Sequence, residues 1–151
     1  DGRVRIIDYK TSDKPVAPIE AHLGTVKPDD ENRPDWLKVA FNGKEKRWVD
    51  LQLPLYRRAL LAEFGPTLDC GYFNLPKAVS ETNLAVWPDD QPGLQTAAEH
   101  CAENVAAAIA NQEFWPPVES LGRRDEDWQG LFHHGTAASI ARDWAGRKAR
   151  S

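Results

Sequence analysis

The sequence predicts an α/β domain in which helices pack on a sheet, and three features indicate this fold class. Val4 to Thr11 is rich in β-branched residues and is bounded by turn residues, as is typical of a strand. Residues 93–114 are rich in alanine and place apolar side chains on one helical face. In chain order the predicted elements are a strand, a long excursion, a helix, two strands and a helix, which is the pattern of a mixed α/β domain.

The composition is that of one globular domain. The chain has 151 residues, of which 41% are hydrophobic and 28% charged, so it is long enough to bury a core. The formal net charge of −4 argues against a protein that binds nucleic acid through bulk positive charge. A locally basic groove is still compatible with this charge.

The sequence contains no membrane or export signal. No apolar run approaches the roughly 18 residues that span a bilayer, and no signal-peptide pattern opens the chain. We therefore expect a cytoplasmic protein with no membrane partner. In that compartment Cys70 and Cys101, which lack a C-x-x-C partner, are expected to be reduced, buried thiols.

The first residues indicate a piece of a longer polypeptide. Asp1-Gly2 is typical of a tight turn between two strands, which would place the first strand of a hairpin upstream. The chain also contains no methionine. We therefore expect a fold that is incomplete at its N-terminus.

Residues 12–47 are predicted to be a long polar insert. The segment holds several prolines and many charges with only short apolar patches, so it is expected to carry at most a short helix or hairpin. Excursions of this length within a domain tend to be functional or disordered.

A helix is predicted from Trp48 to Phe64. Asp50 can cap its N-terminus, Pro54 is tolerated near the first turn, and Gly65-Pro66 ends it. Four residues at 3–4 spacing predict the stripe that faces the core: Leu51, Leu55, Ala59 and Ala62.

The remaining segments predict two strands, a helix and a tail. The strands are expected at 67–76 and 82–88, followed by the helix at 93–114 with a core face of Leu94, Ala98, Cys101, Val105 and Ile109. A loop at 115–130, a solvated His133-His134 pair and a last helix from Thr136 to Arg147 complete the chain.

Asp8 and Lys10 are the first candidates for chemistry. Side chains alternate along a strand, so these two project to one face while Tyr9 projects to the other. A carboxylate is a hard oxygen ligand suited to Mg²⁺ or Mn²⁺, and an ammonium beside it can hold a water or stabilise charge on a phosphate. The same pattern also fits an ion pair on an edge strand.

Gln52 and Tyr56 form the second candidate pair. They are four residues apart on the predicted helix and therefore share a face, at the border between core and solvent. That position suits contact with a phosphate backbone or a catalytic water. It equally fits the ordinary border of an amphipathic helix.

A short basic run precedes this helix. Lys44, Lys46 and Arg47, with Trp48 beside them, have the residue types of a groove that tracks phosphates and stacks a base. A plain solvated run is the alternative.

Two segments in order resemble a known family. "IIDYKTS", followed by an insert and then "LQLPLYRRAL", resembles the RecB-type nucleases of the PD-(D/E)xK superfamily, including AddB-like, helicase-associated exonucleases. The resemblance covers mainly Arg3–Ser12 and Val49–Leu61. It implies a restriction-endonuclease-like core, with a mixed central sheet flanked by helices.

The resemblance also implies roles for individual residues. Asp8 would be a metal ligand, Lys10 the catalytic lysine, and Gln52 and Tyr56 an accessory pair near the nucleic acid. Residues 1–151 would be the C-terminal part of the nuclease domain, with a second acidic ligand upstream. Some relatives hold an iron–sulfur cluster through C-terminal cysteines, but no cysteine follows Trp115, so we expect no cluster.

The implied function is that of a Mg²⁺- or Mn²⁺-dependent deoxyribonuclease, an exonuclease of DNA repair or recombination. DNA and a helicase domain or subunit would be its partners. Two alternatives stay open: a catalytically inactive nuclease fold that binds DNA or scaffolds a repair complex, and an α/β module with a chance match to the motifs.

Overall fold

The computed structural model describes residues 4–27, 33–88, 91 and 93–113. The chain divides into two units, Asp1–Asn111 and Gln112–Ser151, and the first holds all the elements given below. The predicted loop at 115–130, the His133-His134 pair and the predicted helix from Thr136 to Arg147 lie outside the described residues.

The described residues form six strands and three α-helices. The strands are β1 Arg5–Lys10, β2 Leu23–Thr25, β3 Lys38–Phe41, β4 Lys44–Trp48, β5 Asp69–Asn74 and β6 Asn83–Val86. The helices are α1 Pro18–His22, α2 Gln52–Phe64 and α3 Leu94–Ala110, with 3₁₀ turns at Asp35–Leu37 and Val79–Glu81.

The first sheet is mixed and has the strand order β1–β5–β6. Strand β1 runs parallel to β5, with α2 on the connection between them, and β6 returns antiparallel to β5. The predicted mixed α/β class is therefore confirmed. The three strands predicted from sequence also form, each shorter at its ends than expected.

The parallel register sets which side chains of β1 and β5 are neighbours. Asp8 pairs with Tyr72 and Lys10 pairs with Asn74, so all four side chains lie on one face of the sheet. On β1 that face is half-buried, whereas Ile7 and the other alternate residues are exposed. The face that carries Asp8 and Lys10 is therefore the one that packs toward the helices.

The core lies between this face, α2 and α3. Tyr72, Leu53 and Ala98 are fully buried there, and both thiols, Cys70 and Cys101, are buried and outside any disulfide. The predicted core face of α3 is confirmed at Leu94, Ala98 and Cys101. It is wrong at Ile109, which is 56% exposed in the last turn of the helix.

The second sheet is antiparallel, has the order β2–β4–β3, and is built mainly from the segment predicted as a polar insert. Asn42 and Gly43 have φ values of 49° and 71°, the left-handed conformation that a two-residue hairpin turn requires. Leu23, Val39 and Trp48 are buried and belong to the core cluster. The expectation of at most a short helix or hairpin was therefore wrong, because these three apolar side chains anchor a sheet despite the charged residues around them.

Helix α2 begins at Gln52 rather than at Trp48, because Trp48 ends strand β4. The N-cap position is Leu51 and has no side-chain cap hydrogen bond, whereas Asp50, one residue earlier, accepts a hydrogen bond from the Gln52 amide at 2.8 Å. Pro54 lies in the first turn, and the helix ends at Phe64, followed by the C-cap Gly65, whose φ of 77° is left-handed.

The core-facing side of α2 differs from the predicted stripe. Leu53 and Pro54 are its buried residues, whereas Leu55 is 41% exposed, and Ala59 and Ala62 are exposed as well. The Leu53 amide binds the buried side chain of His22, and the Leu53 carbonyl accepts from the Cys70 thiol at 3.6 Å. Leu53 therefore lies in the core with its main chain hydrogen-bonded on both sides, and Leu55 lies at the surface.

Within the described residues, no helix combines the length and the apolar character needed to cross a membrane.

Candidate active site

Asp8 and Lys10 form an ion pair on the inward face of β1. Lys10 Nζ lies 2.7 Å from Asp8 Oδ2, and the two side chains are 30% and 27% exposed. Oδ2 itself is buried and accepts no aligned hydrogen bond from the described residues, so the contact is electrostatic. The pair lies at the carboxyl end of a strand in the parallel part of the sheet, where α/β folds commonly place functional side chains.

Tyr72 lies directly beneath this pair. Lys10 Nζ is 4.4 Å from the centroid of the Tyr72 ring, and Tyr72 is the register partner of Asp8. The ring is fully buried. Burial raises the pKa of the Tyr72 phenol above its usual range, and the negative charges of Asp50 and Asp8 raise it further. The hydroxyl is therefore neutral.

His22 contacts Tyr72 through the Tyr72 hydroxyl. Its Nε2 accepts a hydrogen bond from the Leu53 amide at 3.2 Å, and its Nδ1 donates to the Pro18 carbonyl at 2.8 Å. Nδ1 also lies 3.3 Å from the Tyr72 hydroxyl. Burial lowers the pKa of this imidazole, and a neutral ring protonated at Nδ1 satisfies both backbone contacts.

These contacts join β1 to the beginning of α2. Lys10 rests on Tyr72, Tyr72 contacts His22, and His22 binds Leu53 in the first turn of α2. Gln52 directly precedes Leu53, so it lies in the helical turn that these contacts connect to β1. Sequence reasoning missed both Tyr72 and His22. The alternation in "DCGYFN" places Tyr72 on the face of Cys70 and Asn74, but the pairing with Asp8 depends on a register that sequence alone does not give.

Gln52 and Tyr56 share a face of α2, as their spacing predicts, and they bind each other. Gln52 Nε2 donates to the Tyr56 hydroxyl at 3.0 Å. Tyr56 is 42% exposed. The pair therefore presents a phenol and an amide to solvent in the first turns of the helix, with the amide orientation fixed by the phenol.

The basic run lies on β4, where strand alternation separates its members. Lys44 and Lys46 lie on one face and Arg47 on the other, with Arg47 Nε donating to the Thr25 carbonyl at 3.4 Å. Trp48 is only 4% exposed. The expectation that its ring could stack on a base is therefore wrong, because its side chain belongs to the core.

The described residues supply only a partial metal site. No group of three or more His, Cys, Asp and Glu side chains in this part of the chain is placed to hold a metal ion. Asp8 alone offers a half-buried carboxylate whose Oδ2 accepts no hydrogen bond there. This carboxylate fits Mg²⁺ as one ligand, since Mg²⁺ sites commonly use one or two carboxylates and complete the shell with water and substrate phosphate.

No protein-family model, curated protein or solved structure matches the chain. The function is therefore inferred from the geometry of Asp8, Lys10, Gln52 and Tyr56.

Proposed function

We propose that this chain is a metal-dependent nuclease domain that hydrolyses phosphodiester bonds of DNA, as an exonuclease in repair or recombination. The observation that carries the proposal is the pairing of Asp8 and Lys10, 2.7 Å apart on one face at the carboxyl end of a parallel strand. A carboxylate for a hard metal ion and an ammonium for a phosphate oxygen are the two groups that such hydrolysis needs side by side.

The topology supports the same proposal. A strand bearing Asp8 and Lys10, a helix bearing Gln52 and Tyr56, and a second strand parallel to the first follow one another in the chain. This order fits a restriction-endonuclease-like core of the RecB type, the fold we propose for the domain. On the same resemblance, we place a helicase domain or subunit as its partner.

Each residue has a defined part in the proposed reaction. Asp8 would hold Mg²⁺ or Mn²⁺, which when bound supplies a Lewis acid that activates water and neutralises phosphate charge. Lys10 orients the attacking water or stabilises the charge that develops on the phosphoryl oxygens. Gln52 and Tyr56 bind the substrate backbone beside it, and Lys44 and Lys46 contribute phosphate contacts from the surface of β4.

A second candidate function is a catalytically inactive nuclease fold that binds DNA or scaffolds a repair complex. Two observations favour it. The described residues supply no three-ligand metal group. The Asp8 carboxylate is also already neutralised by Lys10.

The test compares three forms of the full-length protein on end-labelled DNA, each with Mg²⁺ and with EDTA. Lys10→Ala should lower Mg²⁺-dependent cleavage by about 100-fold or more, the typical cost of losing one electrostatic stabiliser of the transition state. Tyr9→Ala is the matched control, because Tyr9 is 66% exposed on the opposite face of the same strand. It should cleave as the unmodified protein does, and thermal melting should show that both variants fold.

Three outcomes distinguish between the candidate functions. Unchanged cleavage by Lys10→Ala would contradict the nuclease assignment. DNA binding that persists in EDTA, with no cleavage by the unmodified protein, would support the inactive binding module. Absence of both cleavage and DNA affinity would overturn the nuclease and the DNA-binding module, and would support an α/β module with a chance match to the motifs.

A further inference from the structure

The ammonium of Lys10 lies between two partners, the Asp8 carboxylate at 2.7 Å and the face of the Tyr72 ring at 4.4 Å. We infer that Tyr72 is a positioning residue: its ring holds the Lys10 ammonium at the place where that ammonium acts. The catalytic meaning of this inference rests on the proposed nuclease function. The geometric part can be tested without it.

A lysine head group needs such support, because four rotatable bonds let it occupy many positions. The ion pair with Asp8 alone would not fix it, since both side chains are partly exposed and holding them in one geometry costs side-chain entropy. The Tyr72 ring is fully buried and its face is electron-rich, so it offers a fixed and partly desolvated surface that binds a cation.

The Tyr72 ring is itself held in place by its neighbours. The Tyr72 hydroxyl lies 3.3 Å from His22 Nδ1, and the His22 ring is bound at both nitrogens by backbone groups of Pro18 and Leu53. Packing around the fully buried ring fixes its orientation, with the hydroxyl contact as an addition, and the position of the ammonium depends on the ring.

The Tyr72 ring would matter more for the position of Lys10 if a metal ion were bound to Asp8. A divalent cation held by the Asp8 carboxylate would change the net charge there from negative to positive and would repel Lys10. The Tyr72 ring would then retain the ammonium beside the site. Without the ring, the flexible side chain would move into solvent and carry its charge away from the phosphate.

The direct test is NMR of the full-length protein with ¹³C-labelled lysine. In the unmodified protein the Lys10 Hε resonances should be displaced upfield by the ring and should show nuclear Overhauser contacts to the Tyr72 ring protons. Tyr72→Phe should retain the displacement and Tyr72→Leu should lose it. Tyr9→Leu removes the neighbouring aromatic on the opposite face, so it should leave the Lys10 signals unchanged.

Cleavage kinetics separate positioning from a structural role. Tyr72→Leu should lower kcat by roughly 10- to 100-fold, the scale of effect that a displacement near 1 Å produces, with little change in KM. Tyr72→Phe and Tyr9→Leu should stay close to the unmodified enzyme. A fall of kcat and melting temperature together in Tyr72→Phe as well would indicate a structural role and overturn the inference.

The outcomes for the inference and for the proposed function are distinct. Absence of the upfield displacement and of the Overhauser contacts in the unmodified protein overturns the positioning role, even where Tyr72→Leu does not fold. If the Lys10 signals behave as expected but the unmodified protein shows no Mg²⁺-dependent cleavage, the proposed nuclease function fails. The conclusion that the Tyr72 ring positions the Lys10 ammonium is then still supported.

Discussion

The imidazole of His22 accepts a hydrogen bond from the backbone amide of Leu53, 3.2 Å away and 31 residues later in the chain. The last residue of α1 thereby satisfies an amide in the first turn of α2, which would otherwise lack an intrahelical partner. The acceptor is the Nε2 lone pair. The contact consequently requires a neutral imidazole, and protonation of His22 removes it.

We predict that the free energy of unfolding decreases as the pH falls below about 6.5, the ordinary pKa of histidine. Burial lowers the pKa of His22 in the folded state, so the unfolded chain takes up a proton first. The stability is complete above pH 6.5, is lost at up to about 1.4 kcal/mol per pH unit below it, and levels off at the folded pKa. Urea denaturation between pH 5 and 8 measures this slope.

His22→Gln should reduce the slope in this window, whereas His100→Gln should retain it, because His100 is exposed on α3. If His22→Gln does not fold, ¹⁵N shifts of the unmodified protein decide the matter. A His22 ring protonated at Nε2 at pH 7, or an unchanged stability between pH 7 and 5.5, would contradict the prediction.

Local periodicity predicts which side chains share a face but not which elements meet. Alternation on β1 put Asp8 and Lys10 together, and helical spacing put Gln52 and Tyr56 together, because each pair lies within one element. The contact between His22 and Tyr72 spans 50 residues. It depends on strand register and helix docking, for which the sequence carries no local signal.

Two errors have the same physical origin. The prolines and charges of residues 12–47 predict a loop, but three buried side chains in that segment and in β4, those of Leu23, Val39 and Trp48, stabilise a sheet. On α2, the predicted stripe assumes that the longest apolar row faces the core. The row that contains Leu53 and Pro54 is buried instead, next to His22 and Cys70, since tertiary packing overrides amphipathic patterning in a short helix.

At Gly71 the backbone of β6 lies too close to β5 for a side chain to fit. A Cβ at this position would collide with the carbonyl oxygen of Ala85 and lie 3.0 Å from Val86 Cα, and neither backbone group can rotate away. We expect Gly71→Ala to cost about 1–3 kcal/mol of unfolding free energy, the range found for overpacking. Chemical denaturation of the purified protein measures the loss.

Gly24→Ala is the matched control in the other sheet. Its Cβ would lie 2.9 Å from Val49 Cγ1, the end of a side chain that is 49% exposed and can change rotamer. The cost should stay below about 1 kcal/mol. Equal losses in the two variants would show that β5 and β6 separate readily and that the close approach at Gly71 does not constrain the sheet.

The hydrogen bond from Gln52 to Tyr56 predicts that the two residues act on DNA as one unit. Tyr56 is exposed, so removing the bond should cost only about 0.5 kcal/mol of stability. Under the proposed function, Gln52→Ala and Tyr56→Phe should each weaken DNA binding about 5- to 20-fold. The double variant should bind about as weakly as the weaker single variant, because losing either partner releases the other. Fluorescence anisotropy with labelled DNA in EDTA measures these affinities without cleavage.

His100 and Asn104 supply the control, since they form a comparable exposed pair one turn apart on α3. Their alanine variants should leave DNA affinity unchanged. Additive effects at Gln52 and Tyr56, or an equal loss at His100 and Asn104, would show that the pair on α2 is not a specific DNA contact.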